Sequence, residues 1–154
     1  MTEVSLAIPR PVSTVFAAIA DPWTYPRWLV GCQDIRAVDA DWPAPGSRFH
    51  HRVGIGPLTI DDATSVLEVR EDHLLRLQVR ARPLGRGEVT FRVSTAAGAT
   101  DATFVTLAEV PIGALALARP VLDPLTHARN HRSLAALRSY LAPDAPDGPA
   151  AGHP

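Results

Sequence analysis

A chain of 154 residues with 46% hydrophobic side chains suffices for one domain with a substantial core and is too short for two. Its formal net charge of −1 excludes the basic footprint that nucleic acid or an anionic membrane demands, so no nucleic-acid partner is expected. One cysteine, Cys32, excludes an internal disulfide, no run nears the roughly 20 apolar residues of a membrane helix, and the N-terminus lacks a signal peptide's basic and apolar regions. A cytoplasmic protein without membrane insertion is the expectation.

Residues 2–8 alternate, with Val4, Leu6 and Ile8 opposite Glu3 and Ser5, as in a half-buried strand. Pro9 and Pro11 end it, and Val12, Val15, Phe16 and Ile19 then recur at helical spacing to about Ala20. Asp21-Pro22 stops that helix. The Pro-punctuated stretch through Trp23, Tyr25 and Trp28 has room for one more short helix before Gly31 turns the chain.

A second strand is predicted over 35–40, closed by the turn-rich Asp41-Trp-Pro-Ala-Pro-Gly46. The third, 47–53, places Phe49, His51 and Val53 on one face and Arg48, His50 and Arg52 on the other. Gly54-Ile-Gly-Pro57 reads as a hairpin turn. A long fourth strand, 58–69, changes its apolar face along its length, which a bulge near Asp61-Asp62 would reconcile. The fifth has Leu75, Leu77, Val79 and Ala81 inward, with Arg76, Gln78, Arg80 and Arg82 outward. Those alternating arginines, together with Arg70, Arg86 and Arg92 and balanced by Glu71, Asp72 and Glu88, read as a solvated sheet face. Val89, Phe91 and Val93 mark a sixth strand, and a seventh is predicted over 99–110.

The last element is a helix over about 114–141, well formed only from about Leu122 because Pro120 and Pro124 interrupt its first half. At 100° per residue Asp123, His127, Asn130, Leu134, Leu137 and Leu141 share one stripe. The tail 143–154 is too poor in apolar residues to order itself, leaving residues 1–142 as one domain. The fold class is α+β: a curved antiparallel sheet of about seven strands, two short helices between its first and second strands, and one long C-terminal helix across its concave face.

Several segments carry a family resemblance: Pro-Arg-Pro-Val-Ser-Thr-Val-Phe-Ala-Ala-Ile-Ala-Asp-Pro (9–22), Tyr-Pro-Arg-Trp (25–28), Trp-Pro-Ala-Pro-Gly-Ser-Arg-Phe (42–49), the strand start at Gly98-Ala-Thr100, and Asn-His-Arg-Ser-Leu-Ala-Ala-Leu (130–137). In these and in the order of its elements the chain resembles the SRPBCC or START-like superfamily, closest to its polyketide cyclase/dehydrase and lipid-transport branch, over about residues 2–142. The resemblance implies a helix-grip fold whose cavity takes a hydrophobic small molecule. It does not by itself transfer an activity.

Within such a cavity the expected walls are Trp28, Phe49, Leu77, Val79, Phe91, Leu134 and Leu137, with His51, His127 and Asn130 as polar contacts. His51 reads either as a donor or general base in the cavity or as a histidine satisfied at its edge. Asp123 and His127, four apart, form a candidate acid–base pair, against which Asp123 reads as the helix N-cap. Trp23, Tyr25 and Trp28 read as a lid or as local core.

His127 and His131 lack a third metal ligand, Cys32 lacks an activating neighbour, and Gly54-x-Gly56 lacks the rest of a dinucleotide motif. Neither metal nor cofactor is expected. The leading functional expectation is a binder of a lipid- or polyketide-like molecule. The alternatives are a cyclase/aromatase with His51 or His127 as catalytic base, and an interaction module of chaperone-activator type using Arg76, Arg80 or Arg92. The sequence leaves the oligomeric state open, a homodimer included.

Overall fold

The computed structural model describes residues 2–55, 57–81, 85–98 and 101–145. Strand β1 (Thr2–Ile8) leads through helix α1 (Val12–Ile19), a 3-10 turn (Pro22–Thr24) and one turn of helix α2 (Tyr25–Trp28) into strands β2 (Cys32–Val38), β3 (Arg48–Ile55), β4 (Leu58–Arg70), β5 (Leu74–Ala81), β6 (Gly85–Thr95) and β7 (Thr103–Ile112). A further 3-10 turn (Gly113–Ala118) runs into helix α3 (Arg119–Leu141). All seven strands form one antiparallel sheet in the order β1-β7-β6-β5-β4-β3-β2. Strands β2 to β7 neighbour one another in chain order as a meander, and β1 closes it on the β7 side because α1 and α2 carry the chain across the sheet to the opposite edge.

The two short helices are set by prolines and held by aromatics. Asp21 caps the first 3-10 turn by accepting the Trp23 N–H at 3.0 Å. The Tyr25 hydroxyl donates to the Ile19 carbonyl, and the Trp42 indole to that of Ala20 at 2.7 Å, so carbonyls at the end of α1 find partners. Tyr25 and Trp28 are 1% and 2% exposed and meet edge-to-face at 5.3 Å, with Phe49 and Phe91 at their other edges. These two aromatics are therefore core rather than lid; only Trp23, 58% exposed, stands in solvent.

Strand β2 ends at Val38 and β3 runs on to Ile55, short of and beyond the expected 40 and 53, and the start of β2, the bulge of β4 and both ends of β7 depart from expectation for local reasons. Strand β2 starts at Cys32, three residues early, because Gly31 at φ 94° turns the chain directly onto β3, and two irregularities in that pairing absorb the misfit. The β3–β4 ladder is unbroken at Asp61 and Asp62; the bulge lies at Leu67, in the pairing of β4 with β5. Asp62, Thr64 and Val66 consequently all face inward before the switch brings Val69 against the core.

Strand β7 begins at Thr103 rather than 99, after a loop closed by the Ala96 N–H on the Ala102 carbonyl; residues 99 and 100 of the predicted strand lie outside the described residues. It runs on through Pro111 because β1 reaches only Glu109, leaving a one-sided strand end where proline is tolerated. The predicted hairpin residue Gly56 and the tail from 146 onward likewise fall outside the described residues.

Helix α3 is regular from Arg119, not from Leu122. Pro120 occupies its first turn, where a missing N–H breaks nothing, and Pro124 forfeits one bond in the second turn. Its 23 residues span about 34 Å. Leu134 and Leu137 are fully buried, and the Ser133 hydroxyl accepts the Val30 N–H at 3.0 Å, fastening the C-terminal half of α3 to α2 and the sheet. Val121 and Leu125 in the other half are 69% and 66% exposed. Truncating Leu137 to alanine is expected to cost about 2–5 kcal/mol in urea unfolding, whereas Val121→Ala should stay within about 0.5 kcal/mol. Equal losses at the two positions would show that both halves of the helix are packed.

Candidate functional site

Between the loosely covered half of the sheet and the N-terminal half of α3 lies a cavity of about 800 Å³. Strand alternation supplies most of its wall: Phe49 and His51 from β3, Asp62 and Thr64 from β4, Leu77 and Val79 from β5, Val89 and Phe91 from β6, Leu107 and Glu109 from β7. Helix α3 adds Leu122, Asp123, Thr126, Arg129 and Asn130, and the segment after α2 adds Leu29 and Cys32. The space suits a ligand of drug or lipid-fragment size, and its wall is mainly apolar with a few polar groups.

Of the predicted site residues the structure brings together His51, Phe49, Leu77, Val79, Phe91 and Asn130. Trp28, Leu134 and Leu137 are buried but lie outside the lining, because the C-terminal half of α3 sits tightly on α2 and β1 and leaves no space there. His127 is exposed and does not reach the cavity. The buried stripe of α3 runs through Asn130, Ser133, Leu134 and Leu137, and Thr126 rather than His127 continues it toward the N-terminus. Asp123 does not cap the helix either: it sits in the second turn and faces Arg119 at 3.6 Å, so no Asp123–His127 pair forms.

His51 is 3% exposed, and its Nε2 shares a 2.9 Å hydrogen bond with the Thr64 hydroxyl. Its Nδ1 is buried with no hydrogen-bond partner among the described residues. Burial holds the imidazole pKa below its ordinary value, only partly opposed by the Asp62 charge, so the ring is neutral at pH 7. Directly across the ladder stands Asp62, 8% exposed, whose Oδ1 accepts the Ala63 N–H at 2.8 Å while its Oδ2 has no partner among the described residues.

Asn130 is 2% exposed and donates from Nδ2 to the Glu109 carboxylate at 3.1 Å. Arg129 bridges the same two groups, pairing with Glu109 and donating to the Asn130 Oδ1 at 3.2 Å. This cluster ties the middle of α3 to β7 and neutralises the charges it brings to the cavity. Cys32 has its thiol pushed up to about 11 by burial and then by Asp34, which leaves it protonated and a poor nucleophile.

On the outer face of the sheet Arg76 lies between Glu68 at 3.8 Å and Glu88 at 4.0 Å, and Arg52 donates to Asp61 at 2.9 Å. A second hollow there, about 470 Å³ and lined by Arg70, His73, Arg92, Phe104 and Thr106 among others, is separate from the cavity under α3. No helix among the described residues is long and apolar enough to cross a membrane.

Asp62, Thr64 and Glu109 escaped the reading of the sequence, although a signal existed. Asp62 shares its strand parity with Thr64 and Val66, and Glu109 shares its own with Val105 and Leu107. A carboxylate on an apolar face is the feature that marks both.

A curved seven-stranded antiparallel sheet gripping one long C-terminal helix, with a ligand-sized space between them, is the helix-grip arrangement. The chain belongs to the family described as polyketide cyclase / dehydrase and lipid transport, which matches residues 1–142. A search of curated proteins found no match. Among solved structures the chain is similar to the Zhui aromatase/cyclase from Streptomyces sp. R1128, at 13% identity and TM-score 0.72 over 91% of this chain and 92% of that one. It is similar also to a START superfamily protein from Mycobacterium smegmatis, at 14% identity and TM-score 0.72 over 94% and 98% of the two chains. The di-domain ARO/CYC BexL from the BE-7585A biosynthetic pathway matches at 15% identity and TM-score 0.69, over 89% of this chain and 44% of that one. Identities this low establish the shared fold and nothing further.

The depressed pKa of His51 ties stability to pH. Below about pH 6.5 the unfolded chain takes up a proton at this position that the native state refuses, so stability falls as pH drops through and below that value. Thermal melts from about pH 7.5 to about pH 5.5 should show a falling midpoint, and a shallower fall in His51→Gln. Parallel pH dependence in the two proteins would show that the imidazole is not buried in its neutral form.

Proposed function

We propose that residues 1–142 form one ligand-binding unit that encloses a hydrophobic small molecule, lipid- or polyketide-like, between the sheet and the N-terminal half of α3. The observation that carries this reading is the cavity of about 800 Å³ lined by Phe49, Leu77, Val79, Phe91 and Leu107 under a helix docked firmly only at its other end. A ligand burying about 300 Å² of apolar surface there gains roughly 7.5 kcal/mol at about 25 cal/mol/Å², before the cost of association is subtracted. One polar contact contributes about 1 kcal/mol. Binding on this account is dominated by the apolar wall and only oriented by the polar groups.

A second reading is favoured by the free Nδ1 of His51. A neutral, buried imidazole with one nitrogen uncommitted has the equipment of a general base, and family membership is compatible with cyclisation or dehydration of a keto-bearing substrate. His51→Gln separates the two. A carrier loses less than about tenfold in affinity, whereas a cyclase loses turnover while still binding.

The primary test is fluorescence titration with Nile red, a neutral dye without O–H or N–H donors. Wild-type protein should bind it saturably at one site. Val79→Trp, which fills the cavity from β5, should weaken binding at least about tenfold with an unchanged circular dichroism spectrum. Absence of saturable binding, or indifference to Val79→Trp, would contradict the reading.

A further inference from the structure

We propose that the β3–β4 wall of the cavity selects a neutral ligand carrying a hydroxyl-type hydrogen-bond donor, an alcohol or a phenol on an apolar body, and rejects carboxylates. The proposal rests on the cavity-binding reading above and narrows it.

Two hydrogen-bonding positions on the adjacent strands β3 and β4 are unfilled among the described residues. Asp62 is more than nine-tenths buried and lines the cavity, and only its Oδ1 is engaged, by the neighbouring Ala63 N–H at 2.8 Å. Its Oδ2 is buried without a partner among the described residues. An orphaned carboxylate oxygen in an apolar wall forfeits its hydration, a cost that an incoming donor removes. A carboxylate has only acceptor sites, so the complementary group must carry a proton.

His51 faces Asp62 across the ladder, in a pairing that holds the two Cβ atoms about 5 Å apart, and its Nδ1 is unfilled as well. With Nε2 committed to Thr64, Nδ1 either accepts from a ligand hydroxyl or donates to it, depending on the tautomer. A hydroxyl has one proton and two lone pairs: it donates the proton to Asp62 and accepts from Nδ1–H in the tautomer whose Nε2 accepts from Thr64.

No ion pair among the described residues involves Asp62, and of the arginines that line the cavity Arg129 is paired with Glu109. The arginines nearest in sequence register, Arg52 and Arg36, turn to the other side of the ladder and pair with Asp61 at 2.9 and 3.9 Å. An incoming carboxylate would therefore be desolvated beside an uncompensated like charge, which costs more than an apolar wall returns. Fatty-acid-type ligands are disfavoured, and neutral hydroxylated molecules of the same size are favoured.

The test is competition against bound Nile red at neutral pH with three bicyclic probes of similar size: β-naphthol, its methyl ether and β-naphthoate. In wild-type protein the naphthol should displace the dye at concentrations at least about tenfold below those needed for the ether or the acid, the scale of one hydrogen bond to a charged acceptor. In Asp62→Asn, which replaces the free acceptor by a donor at nearly constant shape, the three should converge to within about threefold.

Equal displacement by naphthol and ether would overturn the proposal, as an internal His51–Asp62 contact would produce. Preferred binding of naphthoate through the rim residues Arg80, Arg86 and Arg132 would overturn it too. Should Asp62→Asn fail to fold, the wild-type ranking decides alone. Failure of Nile red itself to bind would instead contradict the cavity reading, and this proposal with it.

Discussion

A helix whose apolar residues reach the core only in its second half cannot seal a seven-stranded sheet. Leu134, Leu137 and Ser133 hold the C-terminal half of α3 against α2 and β1, with Leu134 and Leu137 at 1% and 0% exposure. Upstream of Asn130 the helix turns Leu122, Asp123 and Thr126 toward the cavity while Pro120 and Pro124 are exposed, and none of these fills the space above β3 to β6. The cavity is the direct consequence of that asymmetry. Close packing at one end and an opening at the other come from one sequence pattern, so emptiness here is built into the chain rather than left by a packing defect.

Two clusters of polar groups in the wall differ in how fully they are satisfied. Glu109, Arg129 and Asn130 satisfy one another and fix the middle of α3 to β7. On β3 and β4 His51 is bonded to Thr64 and Asp62 to the Ala63 N–H, leaving His51 Nδ1 and Asp62 Oδ2 buried without a partner among the described residues. Buried polar atoms are nearly always paired in native proteins, so two orphans on one pair of strands are informative. The satisfied network positions the helix; the unsatisfied one carries the proposed selection of a hydroxyl.

Much of this was legible in the sequence because strand alternation is a strong signal. Phe49 and His51 on β3, Leu75 and Leu77 on β5, and Phe91 and Val93 on β6 face inward as their period of two demands. The first half of α3 was not legible, for a physical reason. With few apolar residues there, nothing in the pattern chooses between Thr126 and His127 as the continuation of the stripe, and the packed half selects Thr126. Asp62 was hidden by placing the β4 bulge at the aspartates, which would have turned it outward. The bulge belongs at Leu67, where Val66 and Val69 both need the core. The tight C-terminal packing also put Trp28, Leu134 and Leu137 into the core instead of the cavity wall, since volume filled by a docked helix is closed to a ligand.

The central claim is that the space under the N-terminal half of α3, not the outer face of the sheet, receives an apolar molecule. An amide-resolved NMR titration with Nile red tests it most directly. The account predicts shifts concentrated at Leu77, Val79, Phe91, Leu107 and Asn130, with Arg70, Arg92 and Thr106 on the outer face unmoved. Shifts confined to the outer-face hollow, or none at saturating dye, would contradict it.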